Sequence, residues 1–377
     1  MKIDSLKKLF LISLFSIVPT ILIWLPFLLR TPSVSKIPLP QQGLATIVAN
    51  YDGPLYIVAA KTLYNKTAIS TNYQFPLTTE YYTAHFPLFP ILIKLFASVM
   101  NYTYSMLIVT LLSSVLAIYF FYHLILKYVG EKDAIFLTFL FSIFPARWLI
   151  VRSVGSAEPL FIASIIASLY FFKEKKYFWA GIWGAVAQFT KSPAILLFIS
   201  YAIYLVLPVF KNGFSEIKKA FPLLLIPLSL FGVFTIYHFT QNDFFAYFHS
   251  GDNIHLFFPP FQIFNYSAPW VGTFWLEEVI FIYLIGALGV SKLFVQKRYD
   301  IGTFALVFFT SLLFVSHRDL IRYALPIVPL LIVAFSDTLV KKEFKITTAL
   351  LIVPIYLFSL AFISQNVMPI SNWAPFL

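Results

Sequence analysis

Only 11% of the chain is charged, so charges beside its apolar segments carry most of the chemical information. Such charges are costly near a bilayer and are usually paired or functional. Asp52 sits in Asn50-Tyr51-Asp52-Gly53-Pro54-Leu55-Tyr56, where Gly-Pro stops regular structure just after the acid. A carboxylate held among aromatics at a membrane surface suits a general base acting on a hydroxyl. An Asp at the start of a helix is equally a common N-cap, and residue spacing leaves the two readings even. Glu80 and His85 follow on the same side, His85 in Ala84-His85-Phe86-Pro87-Leu88-Phe89-Pro90. For His85 a solvent-facing residue ahead of an interfacial helix is the simpler reading.

Arg147 and Arg152 flank the end of one apolar segment, Glu158 opens the next, and Lys191 lies in a short turn further on. His317, Arg318, Asp319 and Arg322 share another connection, with Arg318 and Arg322 at i,i+4 and so on one face of a helix. Arginines in short outer connections run against the positive-inside tendency. A phosphate ligand accounts for them, because guanidinium forks bind phosphate oxygens bidentately. Local ion pairs, Asp319 with Arg322 and Glu158 with an arginine, or snorkelling to lipid phosphates account for the same pattern. For the group as a whole the ligand phosphate is favoured, and for no single arginine.

The elements that must position these residues are membrane helices. Of 377 residues 60% are hydrophobic, too many for a soluble domain, which carries about 25% charged residues. The chain reads as one integral membrane domain, 1–377, an all-α polytopic bundle. Eleven spans are expected near 9–29, 104–126, 134–149, 158–172, 177–190, 192–210, 220–240, 276–291, 301–316, 323–340 and 346–363. The uncharged run Leu9–Leu29 is longer than a signal-peptide core of about 7–15 residues and lacks a cleavage site, so it reads as a retained first span. With the N-terminus in the cytoplasm, 17 of the 27 basic residues fall inside. The net charge of +11 is then mostly topological and does not call for nucleic acid.

Two outer segments are long: Arg30 to Thr103 and Gln241 to Trp275. Long ordered loops are usually functional. Apolar stretches of the first, such as Phe86–Met100, are too short and proline-interrupted to span, and are expected as amphipathic interfacial helices. Three glycosylation-type sequons, at Asn65, Asn101 and Asn265, all fall outside.

Other chemistries fare worse. The absence of cysteine removes thiol nucleophiles, disulfides and thiolate metal sites. No glycine-rich phosphate loop is present, and the six histidines show no metal-ligand spacing such as H-E-x-x-H. Ser156 lacks a nucleophile elbow.

The motifs resemble those of the membrane-embedded GT-C glycosyltransferases, especially the PIG-V type mannosyltransferases of GPI-anchor assembly and their prokaryotic relatives. Tyr51-Asp52-Gly53 is similar to that family's Trp-Asp-Gly/Ala, and Ala84 to Pro90 to its Phe-Phe-Pro-Leu-Tyr-Pro. Ser156-Ala157-Glu158-Pro159-Leu160-Phe161 resembles Ser-Glu-Ser-Leu-Phe, Gln188 to Pro193 resembles Thr-Arg-Ser-Asn, and Ile321 to Pro326 resembles Arg-Tyr-Leu-Leu-Pro. They occur in family order over most of 45–330. Tyr51 stands for Trp, His85 for Phe and Lys191 for Arg.

The resemblance implies an outward-facing site in the plasma (inner) membrane. It implies a polyprenyl-phosphate sugar donor, a hexose such as mannose, and inverting transfer to a glycan or lipid acceptor. Asp52 matches the family's first-loop acid, the expected base. The charged residues above, Glu80, His85, Arg147, Arg152, Glu158, Lys191, His317, Arg318 and Arg322, would bind the donor phosphate and substrate. No cofactor is expected; nearby acids could bind a divalent cation, but the resemblance favours none. A flippase of lipid-linked glycans and a glycan polymerase or ligase are the rival readings. Transporters often show inverted repeats and midplane sites, whereas no repeat is evident here and the charges cluster at one surface.

Overall fold

The computed structural model describes residues 3–73, 75, 77–207, 215–251, 255–265 and 276–377. Parts of the second long loop, residues 252–254 and 266–275, lie outside the described residues, and with them Tyr266 and Ser267 of the third sequon. Nearly all regular structure is helical, as the apolar runs require. A two-residue antiparallel ribbon, Ser33–Val34 with Ile37–Pro38, is the exception among named elements.

The helices are α1 (Ile3–Leu28), α2 (Leu44–Val48), α3 (Gly53–Thr62), α4 (Lys66–Asn72), α5 (Leu88–Phe96), α6 (Tyr102–Ile125) and α7 (Glu131–Ile143). There follow α8 (Ala146–Val151), α9 (Glu158–Lys173), α10 (Tyr177–Thr190), α11 (Ile195–Val206), α12 (Ser215–Lys219) and α13 (Leu225–Gln241). The chain ends with α14 (Leu276–Val295), α15 (Tyr299–Leu312), α16 (Leu320–Ala324), α17 (Val328–Ala334), α18 (Ser336–Leu339) and α19 (Lys342–Gln365). Among the described residues five helical segments are long and apolar enough to cross a bilayer, namely Lys7–Leu28, Tyr102–Ile125, Phe221–Gln241, Leu276–Val295 and Lys342–Gln365. With the shorter apolar helices between them they make a multi-pass membrane protein.

Over the described residues each apolar segment read from the sequence is met by helix, with three local differences; 208–210, the end of the segment near 192–210, lie outside them. The segment near 134–149 is two helices, because Pro145 cannot donate to the i−4 carbonyl and breaks the run after Ile143. The segment near 323–340 starts at Leu320 and is cut by a 3-10 turn at Leu325–Ile327, which holds Pro326, while Pro329 opens the helix that follows. The stretch 86–100 forms only α5, which buries Phe89, Pro90 and Ile93 and exposes Ile91 and Leu95. That two-faced pattern is what an interfacial helix needs.

Helices α6 and α9 pack together, and α9 packs on α10. Buried Ala163, Ser164, Ala167 and Ser168 on α9 keep these backbones close. Large apolar residues of α13, α14 and α19, among them Leu228, Phe281, Leu284 and Leu350, face outward. The described residues form two buried clusters, one around α6, α7, α9 and α15 and one beneath the first long loop. Tyr51 packs against both. The connections at the other end pair their lysines: Lys127 with Glu174 at 2.7 Å, Lys173 with Asp300 at 2.8 Å and Lys292 with Asp337 at 2.7 Å.

Candidate active site

The turn that carries Asp52 is held from three sides. Asn50 is fully buried, and its amide donates to the carbonyls of Thr46 (3.2 Å) and Ile363 (2.8 Å). The Met368 N–H donates to the Ala49 carbonyl at 2.8 Å. The last long helix thus clamps the first loop. Tyr51 takes a left-handed backbone with φ 49, a conformation that costs a non-glycine residue energy and gathers at functional sites. At Gly53 an added Cβ would lie 2.2 Å from the Val48 carbonyl oxygen, so only glycine fits. Pro54 then starts α3 with its φ already helical.

Asp52 occupies the N-cap position of α3, but its side chain makes no capping hydrogen bond. It turns to Arg322, whose Nη2 lies 3.2 Å from Oδ2. The carboxylate remains 33% exposed. Arg322 also donates from Nε to Glu158 Oε1 at 2.6 Å, with its Nη2 at 2.6 Å from the same oxygen. Lys191 Nζ meets that oxygen too, at 2.6 Å. Glu158 is buried, and its other oxygen accepts from the Ser156 hydroxyl. Thr110 of α6 holds Ser156 by its backbone, at 3.3 Å to both N–H and carbonyl.

A second ion pair stands beside the first. Arg147 Nε lies 3.0 Å from Asp319 Oδ1, and its Nη1 donates to the Tyr51 hydroxyl at 2.9 Å. The Tyr51 hydroxyl lies 3.3 Å from Asp319 Oδ2. The Tyr51 ring sits under the Arg322 guanidinium, 4.4 Å from centroid to Cζ, and Arg147 lies 3.8 Å over Phe362. Tyr51 therefore joins the two pairs through its hydroxyl and its ring face, the latter as a cation–π contact.

The electrostatics follow from this packing. Burial alone would raise the Asp52 pKa, but Arg322 first, and then His85 and Lys191, outweigh it, and the carboxyl lies below its usual range. Asp52 is an anion at neutral pH. His317 is pushed down to about 3 by burial, with His255, Arg322 and Arg318 adding to the effect. It stays neutral, and its Nδ1 accepts from the Asp319 N–H at 2.9 Å.

The residues singled out in the sequence divide accordingly. The structure brings Asp52, Glu158, Lys191 and Arg322 together, with Arg147 adjacent. His85 is buried, with Nε2 4.0 Å from Asp52 Oδ2. The His317 and Tyr323 rings meet at a tilt beside Arg322, their centroids 5.0 Å apart, and Arg318 is exposed. Glu80 is instead taken by Lys66, at 2.8 Å.

Arg152 does not join the cluster. It is fully buried and donates to the Ser142 carbonyl (2.9 Å), the Ser16 carbonyl (2.8 Å) and the Thr20 hydroxyl (2.9 Å). It ties α8 to α1. The local pair expected between Asp319 and Arg322 is replaced by Asp319 with Arg147. Tyr51 and Asp319 were absent from the sequence-derived site. A signal for Asp319 existed, since it was one of few acids in an arginine-rich connection. Among the described residues no three His, Asp or Glu side chains converge as a metal-ligand set.

The architecture is one shared with solved proteins. It resembles ArnT from Cupriavidus metallidurans bound to undecaprenyl phosphate, with a TM-score of 0.58 and 12% identity over 89% of this chain and 61% of that one. It also resembles the Archaeoglobus fulgidus oligosaccharyltransferase, in a complex with zinc and sulfate, with a TM-score of 0.54 and 15% identity over 96% of this chain and 54% of that one. The archaeal oligosaccharyltransferase AglB with an inhibitory peptide and a dolichol-phosphate aligns with a TM-score of 0.50 and 15% identity, over 96% and 57%. The chain spans between about half and three fifths of these proteins. The sequence pattern of the family described as dolichyl-phosphate-mannose-protein mannosyltransferase matches residues 84–237, less than half of the chain. The narrower PIG-V likeness rests on the motifs alone. No curated protein matches the sequence.

Proposed function

We propose that this chain transfers a hexose such as mannose from a polyprenyl-phosphate donor to a hydroxyl of a glycan or lipid acceptor. The reading places the site on the extracytoplasmic side of the plasma (inner) membrane, with the N-terminus in the cytoplasm. The observation that carries it is the Asp52 carboxylate, partly exposed, ionised and backed by Arg322 and Lys191 on a shared Glu158. That arrangement puts a base and a cationic surface side by side at one end of the bundle.

In the proposed step Asp52 takes the proton of the acceptor hydroxyl as its oxygen attacks the anomeric carbon. The bond from that carbon to the phosphate oxygen breaks, and its electron pair leaves with the lipid phosphate. The configuration at carbon inverts. A phosphate leaving group needs little general acid, so charge stabilisation by Arg322, Lys191 and Arg147 suffices on the leaving side. Glu158 and Asp319 hold these cations in place. The reading includes no metal, because guanidinium and ammonium groups supply the positive charge. The likeness to proteins bound to undecaprenyl phosphate and dolichol-phosphate supports a lipid-phosphate donor.

The test is transfer by the purified protein in nanodiscs. Radiolabelled polyprenyl-phosphate-mannose is supplied in parallel with nucleotide sugar, a lipid extract as acceptor, and chelator in one arm. Label moved only from the lipid donor, undiminished by chelator and lost with Asp52→Asn, is the expected result. Full transfer by D52N removes Asp52 as the base. Lipid binding without any turnover favours a flippase.

A further inference from the structure

We propose that His85 is a positioning residue for Asp52: its Nε2–H holds Oδ2 of the carboxylate and leaves Oδ1 as the oxygen offered to the acceptor hydroxyl. The inference rests on the glycosyl-transfer reading above and deepens it. Among the described residues, the close polar contacts to the carboxylate fall on one oxygen. Arg322 Nη2 reaches Oδ2 at 3.2 Å and His85 Nε2 stands 4.0 Å from the same atom. The second distance is longer than a hydrogen bond, but catalytic hydrogen bonds commonly tighten only once substrate is bound.

The imidazole is held where this needs it. Its backbone carbonyl accepts from the Tyr64 hydroxyl at 2.6 Å, and its N–H donates to the Tyr82 carbonyl at 3.1 Å. The Tyr56 ring meets it edge-on at 4.8 Å. Two residues earlier, the Thr83 carbonyl accepts from the Tyr237 hydroxyl at 2.7 Å and the Thr83 hydroxyl donates to the Ala246 carbonyl at 2.8 Å. The segment is thereby fastened to both α3 and the end of α13. Only 5% of His85 is exposed, which does not suit the direct phosphate contact expected from the sequence.

The tautomer follows from burial. His85 Nδ1 is buried with no hydrogen-bond partner. A bare buried N–H is rarer and more costly than a bare acceptor, so the proton belongs on Nε2, facing Asp52. The ring is also neutral. Burial lowers its pKa most, and Lys191 and Arg322 oppose a further charge, while Asp52 pulls the other way. The groups that face it are Asp52 and Tyr56 at the start of α3, Tyr81 on its own segment, Lys191 after α10 and Arg322 on α16. It is thus a directed N–H donor, in the manner of the outer partners that orient functional ligands.

The test compares wild type, H85F, H85Q, D52N and H85F/D52N in nanodiscs with polyprenyl-phosphate-mannose. H85F is expected to lower kcat by about 10–100-fold with the donor KM nearly unchanged. It should also move the acid limb of kcat/KM to higher pH, because the carboxylate loses a donor. H85Q, which keeps an amide N–H, should restore much of both. On the D52N background H85F should cost nothing further. Unchanged kcat and limb in H85F, or an equal loss on the D52N background, overturns the assignment. Should wild type turn over no lipid-linked sugar, the glycosyl-transfer reading fails by itself. The Asp52 titration is then followed by the infrared carboxylic-acid band that D52N removes. Its upward movement in H85F or H85Q supports positioning, and an unmoved titration in both overturns it.

Discussion

Asp52 and Arg322 lie 270 residues apart in sequence, yet Arg322 Nη2 comes within 3.2 Å of the Asp52 carboxylate. This contact replaces the helix cap that Asp52 was placed to make. The choice matters because a capping carboxylate is occupied, while one beside a cation is both ionised and reachable. Replacing Asp52 by Asn should therefore cost turnover far more than fold. A missing base is worth about 10²–10⁴-fold in rate, whereas no cap bond is lost. Initial rates and the thermal midpoint of the same D52N preparation read the two effects.

The acid side of the pH profile follows from two opposite groups. The Asp52 pKa is lowered on folding, chiefly by Arg322 against the effect of burial. Its stabilising contribution is present above the unfolded value of 3.8 and is lost as pH falls through the lower folded value. The acid limb of kcat/KM should accordingly lie below the ordinary aspartate range. His317 is lowered from 6.5 to about 3. Below pH 6.5 the unfolded chain takes up this proton and the folded chain does not, so stability falls with pH before Asp52 titrates. The fall in thermal midpoint between pH 7 and about 5 should be smaller in H317N, whose amide can still accept from the Asp319 N–H.

Glu158 is the anion on which Lys191 and Arg322 converge. Glu158→Gln leaves two cations and a single partner, Asp52. Removing one member of a buried ion pair costs about 3–5 kcal/mol, and the lower end is expected here because Lys191 is 30% exposed and can turn to water. Lys191→Met should spare the fold, since Glu158 keeps Arg322. It should lower kcat by about 10²–10³-fold, as the loss of one group stabilising transition-state charge does. Thermal midpoints and single-turnover rates of the two variants separate these effects. Equal midpoints for E158Q and K191M refute the ranking.

Two glycines give a matched contrast. At Gly53 a Cβ would meet backbone, the Val48 carbonyl oxygen at 2.2 Å, while at Gly155 it would meet the flexible end of Met106, with Cε at 2.1 Å. Ala is the better helix former, so any loss in Gly53→Ala comes from the clash displacing the Asp52 turn. G53A is expected to lose most activity and G155A little, and activity per folded molecule decides it.

Much of this was legible in the sequence, and the reasons for the remainder are physical. Long apolar runs specify membrane helices because unsatisfied backbone is intolerable in lipid, and over the described residues each run is met by helix. The break at Pro145 was missed by the span read as 134–149, although proline removes a helical donor. Partners across the bundle were not readable: no periodicity relates Asp52 to Arg322 or Arg147 to Asp319. Only the joint order of the motifs pointed to a common site. Glu80 looked like the other acids, but Lys66, fourteen residues before it, holds it. Tyr51 was read as a motif letter, while its role depends on rings and guanidinium groups from three distant segments.

Arg147 and Arg152 looked alike as flanking arginines, yet they are five apart, about 140° round a helix. They cannot both face one site, and the structure gives the site to Arg147. Among the described residues Arg152 has no carboxylate partner; its donors go to carbonyls and hydroxyls of Ser142, Ser16 and Thr20. A lysine cannot span that fork, and a methionine leaves buried acceptors bare, at about 1–3 kcal/mol each. Both Arg152→Lys and Arg152→Met should lower the thermal midpoint markedly, with the donor KM of the folded fraction unchanged. A raised donor KM with an intact midpoint would return Arg152 to the phosphate. The expected result instead makes it the fastening of α8 to α1, the contact that aims Arg147 from the other end of the same short helix.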